Sequence, residues 1–483
     1  MYLLGIDLGT TGCKSMIFDT EGQILGDHYI EYELLFTDDG IEQRAQDWWN
    51  HTKTAIKRSI EKSGIDGRQI ISLSISSQGI AFVPVGHDGQ PLMNAISWYD
   101  ARAHAEAEQM RQDFDPMDVC RRTGRQIGSL VFTEVMWLKK NRPEIYRKTW
   151  KFLMAMDYLV FCLCGKTITD YSMASGTLCY DTIEREWIQA FFDRYDIDLD
   201  KFPDIGCLGE PVATVLPDVA ADLGLSGQTL VSLGFQDQKG AAIGAGIDDG
   251  MITVSLGTAS AISTLTHQHL MDPSMQLFCH GFDRERWILE SCVSTAGAAV
   301  KWVRNTFFKD CSYAELDQLA QASPPGSNGL FFYPLLNQKR KDVSGRLTGL
   351  SLATARGDIF RSVLEGVAYE IDGYIKAHQK LNPDVARTEA IRVFGGGASS
   401  PVWCQIIADV TGKTVIIPRT HETGCLGAAI TAAMGAGLIN SLHDSVRLIG
   451  ASKAQYEPDP VNHQIYRKLL DQYGENDLRP CCE

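Results

Sequence analysis

Two aspartates occupy positions where a carboxylate could bind a metal ion or act as a general base. Asp7 lies inside the apolar run at residues 3–8, directly before the turn at residues 9–12 (Gly-Thr-Thr-Gly). An acidic side chain in such a run is costly unless a cation lies nearby, and carboxylate oxygens are suitable ligands for Mg²⁺. Asp7 therefore predicts a magnesium site beside the turn. The alternative is a carboxylate that only accepts hydrogen bonds from the turn amides.

Asp237 follows an apolar run at residues 230–233 and precedes a stretch of small residues at 240–246. This pattern places the carboxylate where a strand ends and a closely packed helix begins. Such a carboxylate could be a general base that takes the proton from an attacking hydroxyl. The alternative is a helix N-cap, which needs only a short acceptor. The two roles are compatible, since the helix dipole would favour the ionised carboxylate.

Glycine-rich turns follow several predicted strands and could hold phosphate groups. The turn at residues 9–12 and the pair Gly257-Thr258 both place a hydroxyl beside glycine amides, and three glycines stand at 395–397. Glycine lets backbone N–H groups approach a phosphate closely because no Cβ intervenes. No P-loop motif is present, and a single Gly-Thr hairpin is usually an ordinary turn. Two such hairpins with the triple glycine predict a phosphate site built from two lobes.

Strand and helix patterns alternate around these residues. A helical period at residues 47–62 follows the first strands, with Asp47 as its expected N-cap. This order predicts an α/β fold. The predicted strands are 3–8, 14–18, 23–25, 70–75, 252–256, 261–265 and 390–394; the other predicted elements are a helix at 358–380, a helix that opens at Ser400 and a polar loop at 337–345.

The tripeptide Leu-Gly-Thr occurs at residues 8–10 and again at residues 256–258, an offset of 248 residues. Both copies lie between two predicted strands, which favours an internal duplication. We therefore predict an N-terminal domain at residues 1–248 and a C-terminal domain at residues 249–483.

The composition limits the partners that this chain can have. Its 60 acidic and 45 basic side chains leave a net charge of −15, and 44% of the 483 residues are hydrophobic, as in folded globular proteins. A negative field opposes binding to nucleic acid or to anionic membranes. It also repels ATP, so a nucleotide site here needs backbone N–H groups, a lysine or two and a divalent metal.

No apolar stretch is long enough to span a membrane, and the first residues do not have the pattern of a secretion signal. The 13 cysteines, including the pairs Cys162/Cys164 and Cys481/Cys482, lack zinc-finger spacing and are expected to be reduced thiols. We predict a cytoplasmic protein that binds neither membrane nor nucleic acid. A homodimer is a further expectation.

The sequence resembles the FGGY carbohydrate kinases of the actin/Hsp70/sugar-kinase superfamily, a group that contains xylulokinase, gluconokinase and glycerol kinase. Residues 7–14 look like the first phosphate motif of the superfamily. The matching segments follow in order from about residue 2 to residue 440, and their combination is specific although no single segment is. The other segments are 42–43 with 48–49, 98–102, 157–159 with Gly165, 234–246, 256–258, 295–298, 394–400, and Glu422 with 427–429.

The resemblance implies two ribonuclease-H-like α/β domains, as in actin-like ATPases, that face each other across a cleft. It implies that the N-terminal domain binds the sugar and the C-terminal domain binds the nucleotide. The implied reaction is transfer of the γ-phosphoryl group of ATP to a hydroxyl of a sugar, polyol or sugar acid, with a ketose such as a pentulose favoured. ATP and Mg²⁺ are the implied cofactors, and a small carbohydrate is the implied partner.

The resemblance also implies roles for individual residues. Asp237 matches the catalytic base, and Asp7 and Asp237 match the acids beside Mg²⁺. The sugar is expected near Gln78, Trp98, Asp237 and Gln238. The implied nucleotide contacts are Thr10, Thr11 and Lys14 from the first domain and Gly257, Thr258, Gly297, Gly396, Gly397 and Ser400 from the second.

The resemblance does not identify the substrate. Xylulokinases usually carry Met-His after the glutamine that matches Gln78, and glycerol kinases carry Arg-Glu, but this chain has Gly79-Ile80. Because hydroxyl recognition needs placed donors and acceptors, either other residues supply them or the substrate differs. Lys239 is hypothesised to reach an anionic substrate group or the transferred phosphoryl group. The alternative is a solvated lysine at a helix start.

Two alternative functions come from other classes. An actin- or Hsp70-like ATPase would share the phosphate turns but would not need Asp237 or the cluster of Trp98, Asp100 and Arg102. A non-catalytic sugar sensor would not need both Asp7 and Asp237 intact.

Overall fold

The computed structural model describes residues 1–336 and 344–475. Most of the predicted loop at 337–345 and the whole Cys481/Cys482 pair lie outside the described residues. The chain forms two compact units, and the predicted division at residue 248 stays a prediction. Unit 1 comprises Met1–Gly246, His267–Ile288 and Glu422–Gly450, and unit 2 comprises Ile247–Thr266, Leu289–His421 and the described residues from Ala451 onward.

The elements follow one another along the chain in a mixed α/β order. The strands are β1 (Tyr2–Leu8), β2 (Gly12–Phe18), β3 (Ile24–Glu31), β4 (Leu35–Thr37), β5 (Gly40–Gln43), β6 (Ile70–Ser77), β7 (Phe82–Val85), β8 (Ala95–Ile96), β9 (Lys151–Met154), β10 (Ile168–Asp170), β11 (Tyr180–Asp181), β12 (Glu186–Trp187), β13 (Asp204–Gly206), β14 (Pro211–Thr214), β15 (Leu230–Ser232), β16 (Phe235–Gln236), β17 (Ile252–Ser255), β18 (Ser260–Thr266), β19 (Phe278–Gly281), β20 (Trp287–Val293), β21 (Phe331–Tyr333), β22 (Arg346–Thr348), β23 (Ala390–Phe394), β24 (Thr414–Ile417) and β25 (Ala454–Tyr456). The α-helices are α1 (Ala45–Ser63), α2 (His104–Asp113), α3 (Pro116–Thr123), α4 (Val131–Asn141), α5 (Pro143–Lys148), α6 (Ala155–Cys164), α7 (Tyr171–Ser175), α8 (Gln189–Tyr195), α9 (Pro217–Leu223), α10 (Asp237–Ala245), α11 (Gly297–Phe307), α12 (Tyr313–Ala322), α13 (Arg356–Leu381), α14 (Pro401–Thr411), α15 (Thr423–Gly435), α16 (Val446–Ile449) and α17 (Pro460–Glu475).

The central sheet of unit 1 has the strand order β14-β15-β6-β1-β2-β3, and β16 also pairs with β6. β1, β2 and β3, which overlap the predicted strands at 3–8, 14–18 and 23–25, form an antiparallel meander. β1 and β15 both run parallel to β6, and β14 is antiparallel to β15. β1 and β6 are apolar or small-residue runs buried along most of their length, as expected for parallel strands covered on both faces. A second sheet in unit 1 has the order β4-β5-β8-β7-β9.

The sheet of unit 2 repeats this arrangement with the order β20-β18-β17-β23-β24-β25. β17 is antiparallel to β18 and parallel to β23, β24 is parallel to β23 and β25 is antiparallel to β24. Each strand therefore has its counterpart in the unit 1 order β3-β2-β1-β6-β15-β14. The two copies of Leu-Gly-Thr stand where the equivalent strands β1 and β17 end, which confirms the predicted duplication.

Each unit has its own hydrophobic core. Unit 1 is centred on the buried faces of its sheets and helices, including Trp48 and Ile56 of α1. The helix predicted at residues 47–62 begins at Ala45, its N-cap is Arg44, and Asp47 lies in the first turn. The prediction that Asp47 is the N-cap was therefore wrong, because the helix begins two residues earlier, at Ala45. Its carboxylate still faces the positive end of the helix dipole.

Helices α10 and α15 approach the sheet and each other through glycines. A Cβ at Gly5 of β1 would overlap the carbonyl oxygen of Cys425, and a Cβ at Gly244 would overlap that of Thr423. A Cβ at Gly427 would overlap the carbonyl oxygen of Gly240. The small-residue stretch at 240–246 is therefore a packing surface on which two helix backbones touch.

The described residues show the state of the cysteines and the character of the helices. All eleven cysteines in residues 1–336 and 344–475 are free thiols. Among these same residues, no helix has both the length and the apolar character needed to cross a membrane.

We predict that Gly244→Ala destabilises the protein by about 1–3 kcal/mol, the usual cost of overpacking, because its methyl group would overlap the Thr423 backbone. The matched control is Gly373→Ala, an exposed position in α13 with nothing near the added Cβ. We expect this control to stabilise the protein by about 0.5–1 kcal/mol. Thermal unfolding of the two variants tests the prediction, and equal midpoints would contradict it.

Candidate active site

Three parallel strands of unit 1 end at one edge of the sheet. The pairing register places Leu8 of β1, Ser77 of β6 and Gln236 of β16 side by side. Gln78 and Asp237 are therefore the first residues beyond two neighbouring strands. Ligands of open α/β sheets bind outside the carboxyl ends of the strands. The predicted site residues that this edge brings together are Asp7, Gln78 and Asp237.

Asp7 accepts a hydrogen bond from the hydroxyl of Ser76, with 2.7 Å between the oxygens. Burial raises the pKa of Asp7, the Ser76 hydrogen bond lowers it, the charge of Glu422 raises it and that of Lys14 lowers it, with a net rise. A cation beside the carboxylate would offset both burial and the charge of Glu422.

The surroundings of Asp7 fit a magnesium ion. A Cβ at Gly424 would lie 2.7 Å from Oδ2 of Asp7, so this glycine keeps space open at the carboxylate. The described residues contain no group of three or more His, Cys, Asp or Glu side chains that could hold a metal. Mg²⁺ is commonly held by one or two carboxylates with water and substrate phosphates, and Asp7 suits that kind of site.

Lys14 lies on β2 opposite Asp7. Its ammonium forms an ion pair with Glu422 at 2.7 Å and lies 5.5 Å from the ring centroid of Tyr29. Burial lowers the pKa of Lys14, but the hydrogen bond and charge of Glu422 outweigh it and raise the pKa. The predicted phosphate lysine is thus held charged by a carboxylate that the sequence analysis did not assign to the site.

Asp237 is the first residue of α10, and Gln236 is the N-cap. The N-cap alternative for Asp237 was therefore wrong by one residue. Its Oδ1 accepts hydrogen bonds from the backbone N–H of Gln238 at 2.7 Å and from Nε2 of Gln236. These donors orient a half-buried carboxylate at the positive end of the helix.

Lys239 is 1% exposed, so the alternative of a solvated lysine was wrong. Its charge acts on Asp170, which is fully buried. Burial raises the pKa of Asp170 to about 6, whereas hydrogen bonds from Met173 and Ser172 and the charge of Lys239 lower it. Lys239 therefore belongs to a buried charged cluster, and its contact with substrate stays a hypothesis.

A chain of hydrogen bonds joins Trp98 to Gln78. Nε1 of Trp98 donates to the hydroxyl of Thr10 at 2.9 Å, and Nε2 of Gln43 donates to the Thr10 carbonyl at 2.7 Å. Nε2 of Gln78 donates to Oε1 of Gln43 at 2.9 Å. Trp98 is 41% exposed and stacks on Tyr99, so its ring can cover a sugar. Gln43 was not predicted as a site residue, although it lies in one of the matching segments.

A buried charged cluster lies directly after Trp98. Arg102 binds Asp100 at 2.9 Å and Glu42 at 3.1 Å. Glu134 is also buried and accepts a hydrogen bond from Ser129. Burial and the charge of Asp100 raise the pKa of Glu134 to about 8, although Arg102 and Ser129 lower it. Burial thus favours the protonated form of Glu134, and the ion pairs of Arg102 lie directly after Trp98 in the chain.

The second group of predicted residues lines a cavity of about 940 Å³ in unit 2. The turn after β17 is held by a hydrogen bond from Gly257 N–H to the carbonyl of Ala259. The N–H of Gly297, at the start of α11, donates to the Gly257 carbonyl at 2.9 Å. The predicted residues on the cavity wall are Gly257, Thr258, Gly297, Gly396, Gly397 and Ser400.

The three glycines after β23 differ in the structural constraint that each one satisfies. Gly395 has φ +92°, in the region that favours glycine. A Cβ at Gly397 would lie 2.6 Å from the ring of Trp403. A Cβ at Gly396 would meet nothing within 4 Å, although this residue lines the cavity. Only Gly396 could therefore carry a side chain, and it would project into open space.

The cavity also has walls that the sequence analysis missed. Trp302 and Tyr313 are both about half-exposed and line the cavity. The hydroxyl of Ser400 caps α14 and donates to Asp317 at 2.9 Å. Burial raises the pKa of Asp317, and the Ser400 hydrogen bond opposes that rise. Exposed aromatic residues on otherwise amphipathic helices were the signal that could have indicated this wall.

The sheet is duplicated, unit 1 has acids at its strand ends, and unit 2 has a cavity lined by glycines. Together these features are typical of kinases with the actin-like ATPase fold, which phosphorylate small molecules. Residues 2–244 match the N-terminal domain of the FGGY family of carbohydrate kinases, and residues 252–436 match its C-terminal domain. The chain belongs to the FGGY family of carbohydrate kinases, as predicted, and is an ATP-dependent sugar kinase.

Similar proteins carry two different substrate names. Xylulose kinase of Bacillus subtilis is 30% identical, over 98% of this chain and 96% of the relative. Gluconokinase of the same organism is 27% identical, over 97% and 94% of the two chains. A solved xylulose kinase and a solved gluconate kinase, both from Lactobacillus acidophilus, each have a TM-score of 0.90 and 26% identity, covering 98% of this chain and 97% of theirs.

The resemblance implies that the nucleotide lies beside Gly396. On that basis we predict that Gly396→Leu raises the KM for ATP about tenfold or more, because a clash of about 1.4 kcal/mol with the nucleotide has that effect. The sugar KM should not change. Gly373→Leu is the control, since this glycine is exposed on α13 and also has open space around it. Steady-state kinetics with varied ATP test the prediction, and an unchanged ATP KM would contradict it.

We predict that Glu134 makes stability fall as pH rises from its ordinary pKa towards about 8. In this window the folded protein keeps a proton that the unfolded chain releases, which costs up to about 1.4 kcal/mol per pH unit. Glu134→Gln should therefore lose less thermal stability than the wild type between pH 5.5 and 7.5.

Glu184→Gln, which changes an exposed glutamate, is the control and should follow the wild-type pH dependence. Parallel curves for the wild type and Glu134→Gln would show that Glu134 is ionised throughout the window.

Proposed function

We propose that the protein transfers the γ-phosphoryl group of ATP to a hydroxyl of a sugar, with a ketose such as a pentulose as the acceptor. The proposal is supported by the position of Asp7, Gln78 and Asp237 at one edge of the sheet. This position follows from the pairing of β6 with β1 and β16. Trp98 joins this group through Thr10.

We assign the nucleotide to the cavity of unit 2, with its phosphates held by the glycine turns. Thr258, Gly297, Gly396, Gly397 and Ser400 would bind the nucleotide from this unit. The exposed face of Trp302 gives the cavity an aromatic wall suited to a planar base. Thr10, Thr11 and Lys14 of unit 1 stay predicted phosphate contacts.

Asp7 and Asp237 would hold Mg²⁺, which when bound neutralises charge on the phosphate oxygens. Asp237 would accept the proton of the attacking hydroxyl. The hydrogen bonds from Gln236 and Gln238 to Oδ1 fix the direction of its carboxylate. Positioning and charge stabilisation then supply most of the rate enhancement, since phosphoryl transfer needs little covalent assistance.

A sugar acid is the second candidate acceptor, because a gluconokinase and a solved gluconate kinase resemble this chain about as closely as the xylulose kinases do. The two alternatives from other classes have less support. Membership of a carbohydrate kinase family favours a sugar acceptor over an assembly ATPase. The ordered surroundings of Asp7 and Asp237 favour a catalytic protein over a sensor.

An ADP-release assay with Mg²⁺ and ATP tests the proposal against D-xylulose, D-ribulose, D-fructose, xylitol, glycerol and D-gluconate. We expect ADP release to depend on the acceptor and to be fastest with a ketose. Filament formation, or ATP hydrolysis that no carbohydrate stimulates, would contradict a sugar kinase.

We predict that Asp237→Asn lowers kcat by about 10²–10⁴-fold, the usual loss when a general base is removed. ATP binding and thermal stability should stay near the wild-type values, because the amide has the shape of the carboxylate. Asp218→Asn is a matched control, since Asp218 is an exposed aspartate in the first turn of α9. Wild-type turnover by Asp237→Asn would exclude this residue as the base.

A further inference from the structure

The amide of Gln78 has an orientation that the hydrogen-bond chain determines. The backbone carbonyl of Thr10 can only accept, so Gln43 must direct its Nε2 towards it. Oε1 of Gln43 then faces Gln78, which must donate through its own Nε2. Oε1 of Gln78 is left as an acceptor. The side chain is fully buried, and within the described part of the chain no donor reaches this oxygen.

The amide of Gln236 is oriented in the same way by a carboxylate. Oδ1 of Asp237 can only accept from an amide, so Gln236 donates through Nε2. Its Oε1 is buried, and no donor among residues 1–336 and 344–475 lies within hydrogen-bonding distance of it. A buried acceptor without a donor lowers the stability of the folded protein. Such an acceptor in a binding site often receives its hydrogen bond from the bound ligand.

The two glutamines lie at the same end of the sheet. Gln236 pairs with Ser77, the residue before Gln78. A Cβ at Gly79 would lie 2.9 Å from Cγ of Gln236, so the Gln236 side chain occupies the space that a side chain at position 79 would fill. Residue 79 has no polar side chain, and the amide of Gln236, on the neighbouring strand, lies in that place instead.

The charges around this edge do not favour an anionic acceptor. Asp7 and Asp237 are both carboxylates. The cations on neighbouring elements face carboxylates: Lys14 binds Glu422, and Arg102 binds Glu42 and Asp100. Lys239 is buried and acts on Asp170.

We propose that Gln78 and Gln236 are specificity-determining residues that accept hydrogen bonds from substrate hydroxyls, and that the site therefore selects a neutral polyhydroxy sugar over a sugar acid. This inference rests on the proposed function, a kinase that phosphorylates a carbohydrate at this edge. A hydroxyl supplies the donor that each Oε1 lacks. A carboxylate has no donor to supply and would face acceptors and negative charge.

The test compares kcat/KM for D-gluconate with that for the best neutral acceptor in wild type, Gln236→Leu and Gln78→Leu. We expect the wild type to favour the neutral acceptor by about 100-fold or more. Each leucine variant should lose about 10–100-fold in kcat/KM for the neutral acceptor, the usual effect of losing a hydrogen bond in a buried site. The ATP KM should not change. Gln189→Leu, at an exposed glutamine of α8, should match the wild type.

Gln236→Lys adds a donor and a positive charge at the same position and gives the reciprocal test. We expect it to lower kcat/KM for the neutral acceptor and to raise the relative use of D-gluconate. Gln236 is only half-buried, so its two variants keep the test valid if Gln78→Leu does not fold. A wild-type preference for D-gluconate, or an unchanged neutral-to-acid ratio in both Gln236 variants, would overturn the inference.

Failure of the inference can be told apart from failure of the proposed function. Preferred phosphorylation of D-gluconate would overturn the inference but leave a sugar kinase. Wild-type protein that releases no ADP with any acceptor would contradict the proposed function. In that case, titration of the intrinsic tryptophan fluorescence with D-xylulose and D-gluconate still tests the inference, and tighter binding of D-gluconate would overturn it.

Discussion

The parallel pairing of β6 with both β1 and β16 is the constraint on which the candidate active site depends. This register brings Asp7, Gln78 and Asp237 to one edge although they are far apart in the sequence. Side chains alternate between the faces of a sheet, so a slip of one residue would turn the Asp7 side chain to the opposite face, away from Ser76. Glycines at the contacts of α10 and α15 let the helix backbones pack closely enough to hold the strands in place.

The duplicated sheet supports different chemistry in its two copies. Asp7 on β1 corresponds to Ser255 on β17, 248 residues later, and the Ser255 hydroxyl accepts a hydrogen bond from the backbone of Ala261. Unit 1 thus has a carboxylate before its glycine turn, whereas unit 2 has a local structural contact. The open space beside Gly396 and the aromatic wall of the cavity suit unit 2 for a larger ligand. One fold thereby supplies both an acid-rich edge and an apolar cavity.

Paired and buried charges explain how an acidic chain can keep several carboxylates near its site. Lys14 compensates Glu422, and Arg102 compensates Asp100 and Glu42. Glu134 has no ion-pair partner within 4 Å in the described ranges, and burial raises its pKa, which favours the protonated form. Local pairs of this kind also hold the neighbouring segments in place, because a buried charge that loses its partner is costly.

The amino-acid sequence by itself determined the strand–turn–strand repeats, the family and the glycine turns, because these depend on local periodicity and on residue types at short spacing. It also predicted the long helix at 358–380, which the structure extends to 356–381. It further predicted Asp7, Gln78 and Asp237 as site residues, and the strand register places all three at one edge of the sheet. It placed the start of α1 two residues late, and it left open a solvated Lys239, which the burial of that residue excludes. Only the tertiary structure decided that Gln236 fills the space at Gly79 and that Gln78 offers an acceptor. Strand register and a hydrogen-bond chain between separate elements set those features, and neither leaves a local pattern in the sequence.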